Sequence, residues 1–190
     1  DFSIKSKEKE LKTDFFIGQS VRIRKNNNFS VHSGLHERWS DIIGRIGFGF
    51  GTNSNLSYRF LFNKDQMKTR RDEVSFSTRI YNNSLSIGYI YLEPTSGISD
   101  KREELNFSST QRINDNYSLY YSLREDLSSS GAGLLGQTLS LKFNNECLTT
   151  ELFLSRSYSM DREIKPNDTI GINFIFKTLG TFSTGRNISN

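Results

Sequence analysis

Leu56-Ser57-Tyr58-Arg59-Phe60-Leu61-Phe62 and Val74-Ser75-Phe76-Ser77-Thr78-Arg79-Ile80 alternate large apolar side chains with small or charged ones. Successive side chains of a strand point to opposite faces, so each stretch reads as a strand with one apolar and one polar face. The same period of two recurs on both sides. Upstream it runs through Phe15, Ile17, Val21 and Ile23, then through Ile42, Ile46, Phe48 and Phe50. Downstream it passes through Leu85–Tyr91, Leu105–Phe107, Tyr117–Leu123, Leu135–Phe143, Leu148–Leu154 and Ile170–Phe176. No helical period competes with it. The expectation is an all-β, antiparallel fold of about ten strands, with a partial one near residues 2–6.

Composition agrees and excludes much else. The chain has 190 residues, of which 34% are hydrophobic and 13% aromatic. The hydrophobic share is below the roughly 45–50% of globular domains, yet 15 Phe and 8 Tyr are too many for a disordered polar chain. Ala132 stands alone among alanines, which disfavours helices. No apolar run is long enough for a transmembrane helix, and no signal peptide opens the sequence. A single cysteine, Cys147, excludes an internal disulfide framework. A net charge of +4 is too mild to imply nucleic acid as a partner.

A soluble sandwich also alternates, with its apolar face inside. Two features favour a transmembrane barrel. The strands reach about ten residues, the length a tilted strand needs to cross a bilayer. The connections also alternate in length. Gly51–Ser54, Tyr81–Asn83, Ile113–Asn116 and Asn144–Glu146 are short, as is one near Lys7–Glu10. Lys25–Ser40, Asn63–Glu73, Glu93–Arg102, Ser128–Gly133 and Met160–Asp168 are longer. Short periplasmic turns and longer extracellular loops are the barrel pattern, and closed barrels pair every backbone group inside lipid. On this reading residues 1–180 are the C-terminal portion of a barrel. Strand 169–179 is the last, and 181–190 form a periplasmic tail. The chain opens partway down a strand, so further strands are expected upstream.

Catalytic signals are weak. His32 and His36 have a helical metal spacing but fall in a loop, and no others are available for a hydrolytic triad. Gly47-Phe48-Gly49-Phe50-Gly51 precedes no helix, so strand packing explains it better than a phosphate cradle. Asp72-Glu73 and Glu103-Glu104 read as solvated rim carboxylates. No enzyme and no cofactor are expected. The inward polar face is more informative. By parity it gathers Arg22, Arg24, Arg45, Arg59, Arg79, Arg112, Arg124, Lys142 and Lys177, partly offset by Asp41, Glu104, Asp126 and Glu151. Such a face suits an anionic, phosphate-bearing ligand, although any wet barrel interior carries ion pairs. Cys147 lies beside a short turn on the periplasmic side. An odd cysteine in an oxidising compartment suggests a disulfide partner elsewhere; a buried inert thiol is the alternative.

Several segments, in order, resemble the LPS-assembly protein LptD family, also called organic solvent tolerance protein. They are Asp14-Phe15-Phe16-Ile17-Gly18-Gln19-Ser20-Val21-Arg22, Ser33-Gly34-Leu35, Arg38-Trp39-Ser40-Asp41, Gly44-Arg45 and Leu56-Ser57-Tyr58-Arg59-Phe60. Arg70-Arg71-Asp72-Glu73-Val74 and Arg102-Glu103-Glu104-Leu105 follow. The stretches Asn145-Glu146-Cys147-Leu148-Thr149, Ser155-Arg156-Ser157-Tyr158 and Asp161-Arg162-Glu163-Ile164-Lys165-Pro166, through Phe176-Lys177-Thr178-Leu179-Gly180, are similar to the end of alphaproteobacterial members.

The resemblance implies a Gram-negative outer-membrane location and a role in carrying lipopolysaccharide to the outer leaflet. It implies as partners lipopolysaccharide, the plug lipoprotein LptE, periplasmic bridge proteins reached through an N-terminal domain, and outer-membrane lipids. It also implies a lateral gate, placed by position on Thr169, Ile170, Gly171, Ile172, Asn173, Phe174, Ile175 and Phe176. Cys147 matches a position that the family ties to its N-terminal region by a disulfide; some relatives carry two adjacent cysteines there. A generic porin-like channel, or a soluble β-sandwich binding module, would be the alternative.

Overall fold

A computed structural model describes residues 2–6, 11–23, 37–94, 101–128, 133–158 and 166–188. These form β1 (Phe2–Ser6), β2 (Leu11–Gly18), β3 (Ile42–Phe50), β4 (Ser54–Phe62), β5 (Thr69–Ile80) and β6 (Asn83–Leu92). They continue with β7 (Arg102–Arg112), β8 (Tyr117–Asp126), β9 (Gly133–Asn144), β10 (Leu148–Ser157), β11 (Asn167–Phe176) and β12 (Gly180–Asn187). The strands are sheet neighbours in chain order, from β1 to β12. The all-β antiparallel reading therefore holds. From β2 onward the strands have 8 to 12 residues, in the range for crossing a bilayer.

The alternation of connections is also present. Residues 51–53, 81–82, 113–116, 145–147 and 177–179 are tight; 19–41, 63–68, 93–101, 127–132 and 158–166 are longer. Asparagine builds several of these bends. Asn114 Oδ1 accepts the Asn116 and Tyr117 amides at 2.9 and 2.8 Å. Asn145 Oδ1 accepts those of Cys147 and Leu148 at 3.0 and 2.7 Å, and Asn63 Oδ1 those of Asp65 and Gln66 at 2.8 and 3.0 Å. Each is an Asx turn that supplies the bend locally.

Three expectations need correction. The strand expected to run to Ile23 stops at Gly18. Beyond it Gln19 Nε2 donates to the Ser40 carbonyl and the Ser20 amide donates to Ser40 Oγ, both at 2.8 Å, interrupting a ladder that backbone bonds from the Ser40 amide to the Ser20 carbonyl and from the Arg22 amide to the Arg38 carbonyl then resume. Val21 then makes an isolated bridge to Trp39. The loop expected over Asn63–Glu73 ends at Lys68, because Arg70–Glu73 continue the alternation into β5. Finally, residues 180–187 are a strand, not a tail. The Leu179 amide bonds back to the Phe176 carbonyl at 3.1 Å, and Gly180 takes φ +125°, a value L side chains rarely adopt. The chain reverses there and β12 pairs along β11 from Phe176↔Gly180 to Thr169↔Asn187. β11 is therefore not the last strand. The short turn expected at Lys7–Glu10 lies outside the described residues.

The chain divides into two compact units. The first comprises Asp1–Thr78, Gly88–Leu105 and Leu127–Gly131. Its register places Ile46, Tyr58 and Val74 in a row across β3, β4 and β5 on one face, and Arg45, Arg59 and Glu73 on the other. The second comprises Arg79–Ile87, Asn106–Asp126 and Ala132–Asn190. There Leu119, Leu141, Leu152 and Ile172 form an apolar row across β8–β11, while Lys142, Glu151 and Asn173 form a polar row behind it. Among the described residues no apolar side chain is buried, whereas Ser40, Asp41, Glu104, Ser128 and Ser140 are. A water-soluble domain has the reverse distribution.

Candidate functional site

The polar face of the first unit carries its densest charge where β2 to β5 lie side by side. Arg45 and Arg59 are directly opposite across β3–β4. Like charges in that position repel, and carboxylates relieve the repulsion from either side. Asp14 reaches Arg45 at 3.2 Å. Glu73, opposite Arg59 across β4–β5, accepts from it at 3.5 Å and also pairs with Arg71. Three guanidinium groups thus share two carboxylates. They border a depression of about 590 Å³ floored by Ile43 and Leu61. Arg45, Arg59 and Arg71 all stay at least half exposed, so their remaining donors can meet an anion. Arg71 escapes the sequence reading because that reading places it in the loop Asn63–Glu73, whereas it lies in β5.

The other candidates are dispersed. Arg112 folds back on its own turn, its Nε and Nη2 donating to the Asn114 and Asp115 carbonyls at 3.3 Å. Lys177 lies in the turn after β11, and its Nζ donates to the Asn145 carbonyl at 2.5 Å. It tethers two turns rather than facing the polar row. Arg22 is outside any strand, its amide bonded to the Arg38 carbonyl. Arg79 ends β5. Arg124 is opposite Gly136 and Lys142 opposite Ser118, toward opposite ends of the β8–β9 ladder. Arg24, His32 and His36 lie outside the described residues.

The paired carboxylates do no joint chemistry. Adjacent strand residues face opposite ways. Asp72 accepts the Tyr58 hydroxyl at 2.7 Å on the apolar face, while Glu73 joins the arginines on the other. Glu103 likewise meets Tyr89 and Lys101, and buried Glu104 pairs with Arg102. Lys101 Nζ also stands 5.3 Å from the Tyr91 ring centroid. The Glu93 amide bonds the Arg70 carbonyl, a register that sets Tyr91 opposite Asp72. Tyr89 and Tyr91 thus sit on the apolar face toward the long-loop end of β6, as amphipathic rings do at a membrane surface, while Tyr58 lies at the middle of β4.

Above them, buried Asp41 accepts the Lys64 amide at 3.3 Å and pairs with Arg70 at 2.8 Å. Lys64 pairs in turn with Asp65 and Glu37, whose hydrogen bonds hold its ammonium above the ordinary lysine range. Arg38–Asp41, singled out in the sequence, therefore anchors the loop end of β2–β5.

Cys147 is exposed in the β9–β10 turn, and its carbonyl accepts the Lys177 amide at 3.1 Å. An exposed thiol on a rigid bend is available for a partner, which removes the buried-thiol alternative.

Residues 2–117 match the family model LptD, described as LPS transport system D. The chain belongs to the LptD family. That places it in a family of outer-membrane proteins whose process is lipopolysaccharide transport and outer-membrane assembly, and not catalysis. No curated protein and no solved structure matches the chain.

Proposed function

We propose that this chain is the C-terminal portion of an outer-membrane barrel that inserts lipopolysaccharide into the outer leaflet. One observation carries the reading. Among the described residues the apolar face is exposed and no apolar side chain is buried, while the opposite face holds a half-exposed arginine cluster. The first face suits acyl chains of the surrounding membrane. The second suits a lumen that accepts the phosphates of a lipid head group, because guanidinium binds phosphate oxygens bidentately. The transport needs no covalent step.

In this reading the short turns are periplasmic and the long loops extracellular. The plug lipoprotein LptE fills the lumen of the parent, and an N-terminal domain receives lipopolysaccharide from the bridge proteins. Cys147 forms its disulfide with that upstream region. The lateral gate belongs to the β11–β12 end of the sheet, with β12 carrying the outer edge.

The test uses the full-length parent in its own outer membrane, with the wild-type copy depleted. Arg45→Glu with Arg59→Glu should lower newly surface-exposed lipopolysaccharide several-fold while the level of folded protein is unchanged. Normal surface lipopolysaccharide in that variant, together with free ion conductance by the purified protein, would sink the proposal and leave a porin-like channel.

A further inference from the structure

The apolar face of the second unit is interrupted near its long-loop end. A groove of about 360 Å³ lies there, lined by Tyr121, Leu139 and Leu154 and closed at its upper end by Arg156 and Asp168. Arg156 is an outlier in its strand. Leu148, Leu152 and Leu154 precede it on the same apolar face, since Leu154 is opposite Ile170 and Arg156 opposite Asp168. The guanidinium is held rigidly. Its Nε and Nη2 donate to the two Asp168 oxygens, both at 2.5 Å, and its Cζ stands 5.7 Å from the Tyr158 ring centroid. Gln137 Nε2 donates to the Tyr158 hydroxyl at 3.2 Å and steadies that ring. Arg156 nevertheless remains 50% exposed. On β12, Arg186 is opposite Ile170, so it shares this face. Arg186 lies beyond the groove's lining, on the neighbouring strand, and with Arg156 it gives this end of the face two guanidinium groups against the one Asp168 carboxylate.

We infer that this groove is an outward-facing binding site for a phosphorylated acyl lipid. Chains would lie along Leu139 and Leu154, and the head-group phosphate would bind at Arg156 and Arg186. Charge complementarity and the apolar floor together select the occupant. A soluble anion gains nothing from the leucines, and an uncharged lipid gains nothing from the arginines. The inference rests on the membrane reading above, but the site is on the face opposite the polar row of Lys142, Glu151 and Asn173.

The test uses the full-length protein in phosphatidylcholine nanodiscs doped with lipid A bisphosphate or its dephosphorylated form. A photo-crosslinking benzoylphenylalanine replaces Leu154, or Leu141 as a control lower on the same face. Crosslinking at Leu154 should favour the bisphosphate roughly ten-fold, the effect of about one charge-assisted hydrogen bond. Arg186→Gln, and Arg156→Gln paired with Asp168→Asn so that no carboxylate is orphaned, should each abolish that preference. Equal labelling by the two lipids, or a preference that survives both variants, overturns the inference. Displacement by inorganic phosphate alone also overturns it, since the site would then be one for small anions. Lipid labelling at Leu141 with no selectivity at Leu154 defeats this site only. No lipid labelling at either position defeats the membrane reading itself.

Discussion

Two residues show how single positions constrain this sheet. Gly171 is opposite Phe153 across β10–β11, and a Cβ there would lie 2.3 Å from Phe153 Cζ and 3.0 Å from the Thr184 carbonyl oxygen. The ring occupies the space the glycine leaves. Gly171→Val should destabilise the parent by about 1–3 kcal/mol through overpacking. Adding Phe153→Ala should recover part of the loss, read as the urea midpoint of the heat-modifiable gel band. A double variant no better than the single one would show that the backbone contact at Thr184 dominates. Cys147 is the second case. Being exposed on a turn, it should give a mobility shift on reduction of the outer-membrane protein, and Cys147→Ser should remove that shift. Identical mobility with and without reductant in the wild type would refute the disulfide.

At the scale of elements, β12 departs furthest from expectation. Every one of its residues is exposed, and Thr181, Ser183 and Thr184 blur the alternation that marks the other strands. Its position rests on backbone pairing with β11, aided by Thr169 Oγ1 and Asn167 Nδ2 donating to Asn187 Oδ1 at 3.1 Å. Asn173 and Ser183 are register partners, and directly opposed residues bring their Cβ atoms within disulfide range. Asn173→Cys with Ser183→Cys, in a Cys147→Ser background, should crosslink under mild oxidation. Asn173→Cys with Gly185→Cys should crosslink much less. Equal yields would mean that residues 180–187 do not hold this register.

At the scale of the whole molecule, the two faces predict opposite tolerance to charge. Val74 and Ser77 lie in the same strand, Val74 opposite Tyr58 on the apolar face and Ser77 opposite Asn55 on the polar one. Val74→Arg should cost up to about 2–4 kcal/mol if the position reaches the bilayer midplane. Ser77→Arg should cost little. Folding titrations of the parent into phosphatidylcholine vesicles measure both. Comparable costs would mean that the apolar face does not meet lipid.

Much of this was legible in the residues themselves. The strands, the alternation of connection lengths and the two-faced pattern follow from a period of two, which depends only on the order of side chains. The family resemblance was legible too, because it resides in local strings such as Arg38-Trp39-Ser40-Asp41. What the sequence left undetermined depends on cross-strand register. Arg59 and Glu73 are fourteen positions apart in the chain yet directly opposite. The Arg156–Asp168 clamp depends on how β11 slides against β10. β12 carries almost no hydrophobic period and is held by backbone hydrogen bonds, which any side chain permits. Periodicity tells which way each residue faces; only the paired ladder decides which residues meet.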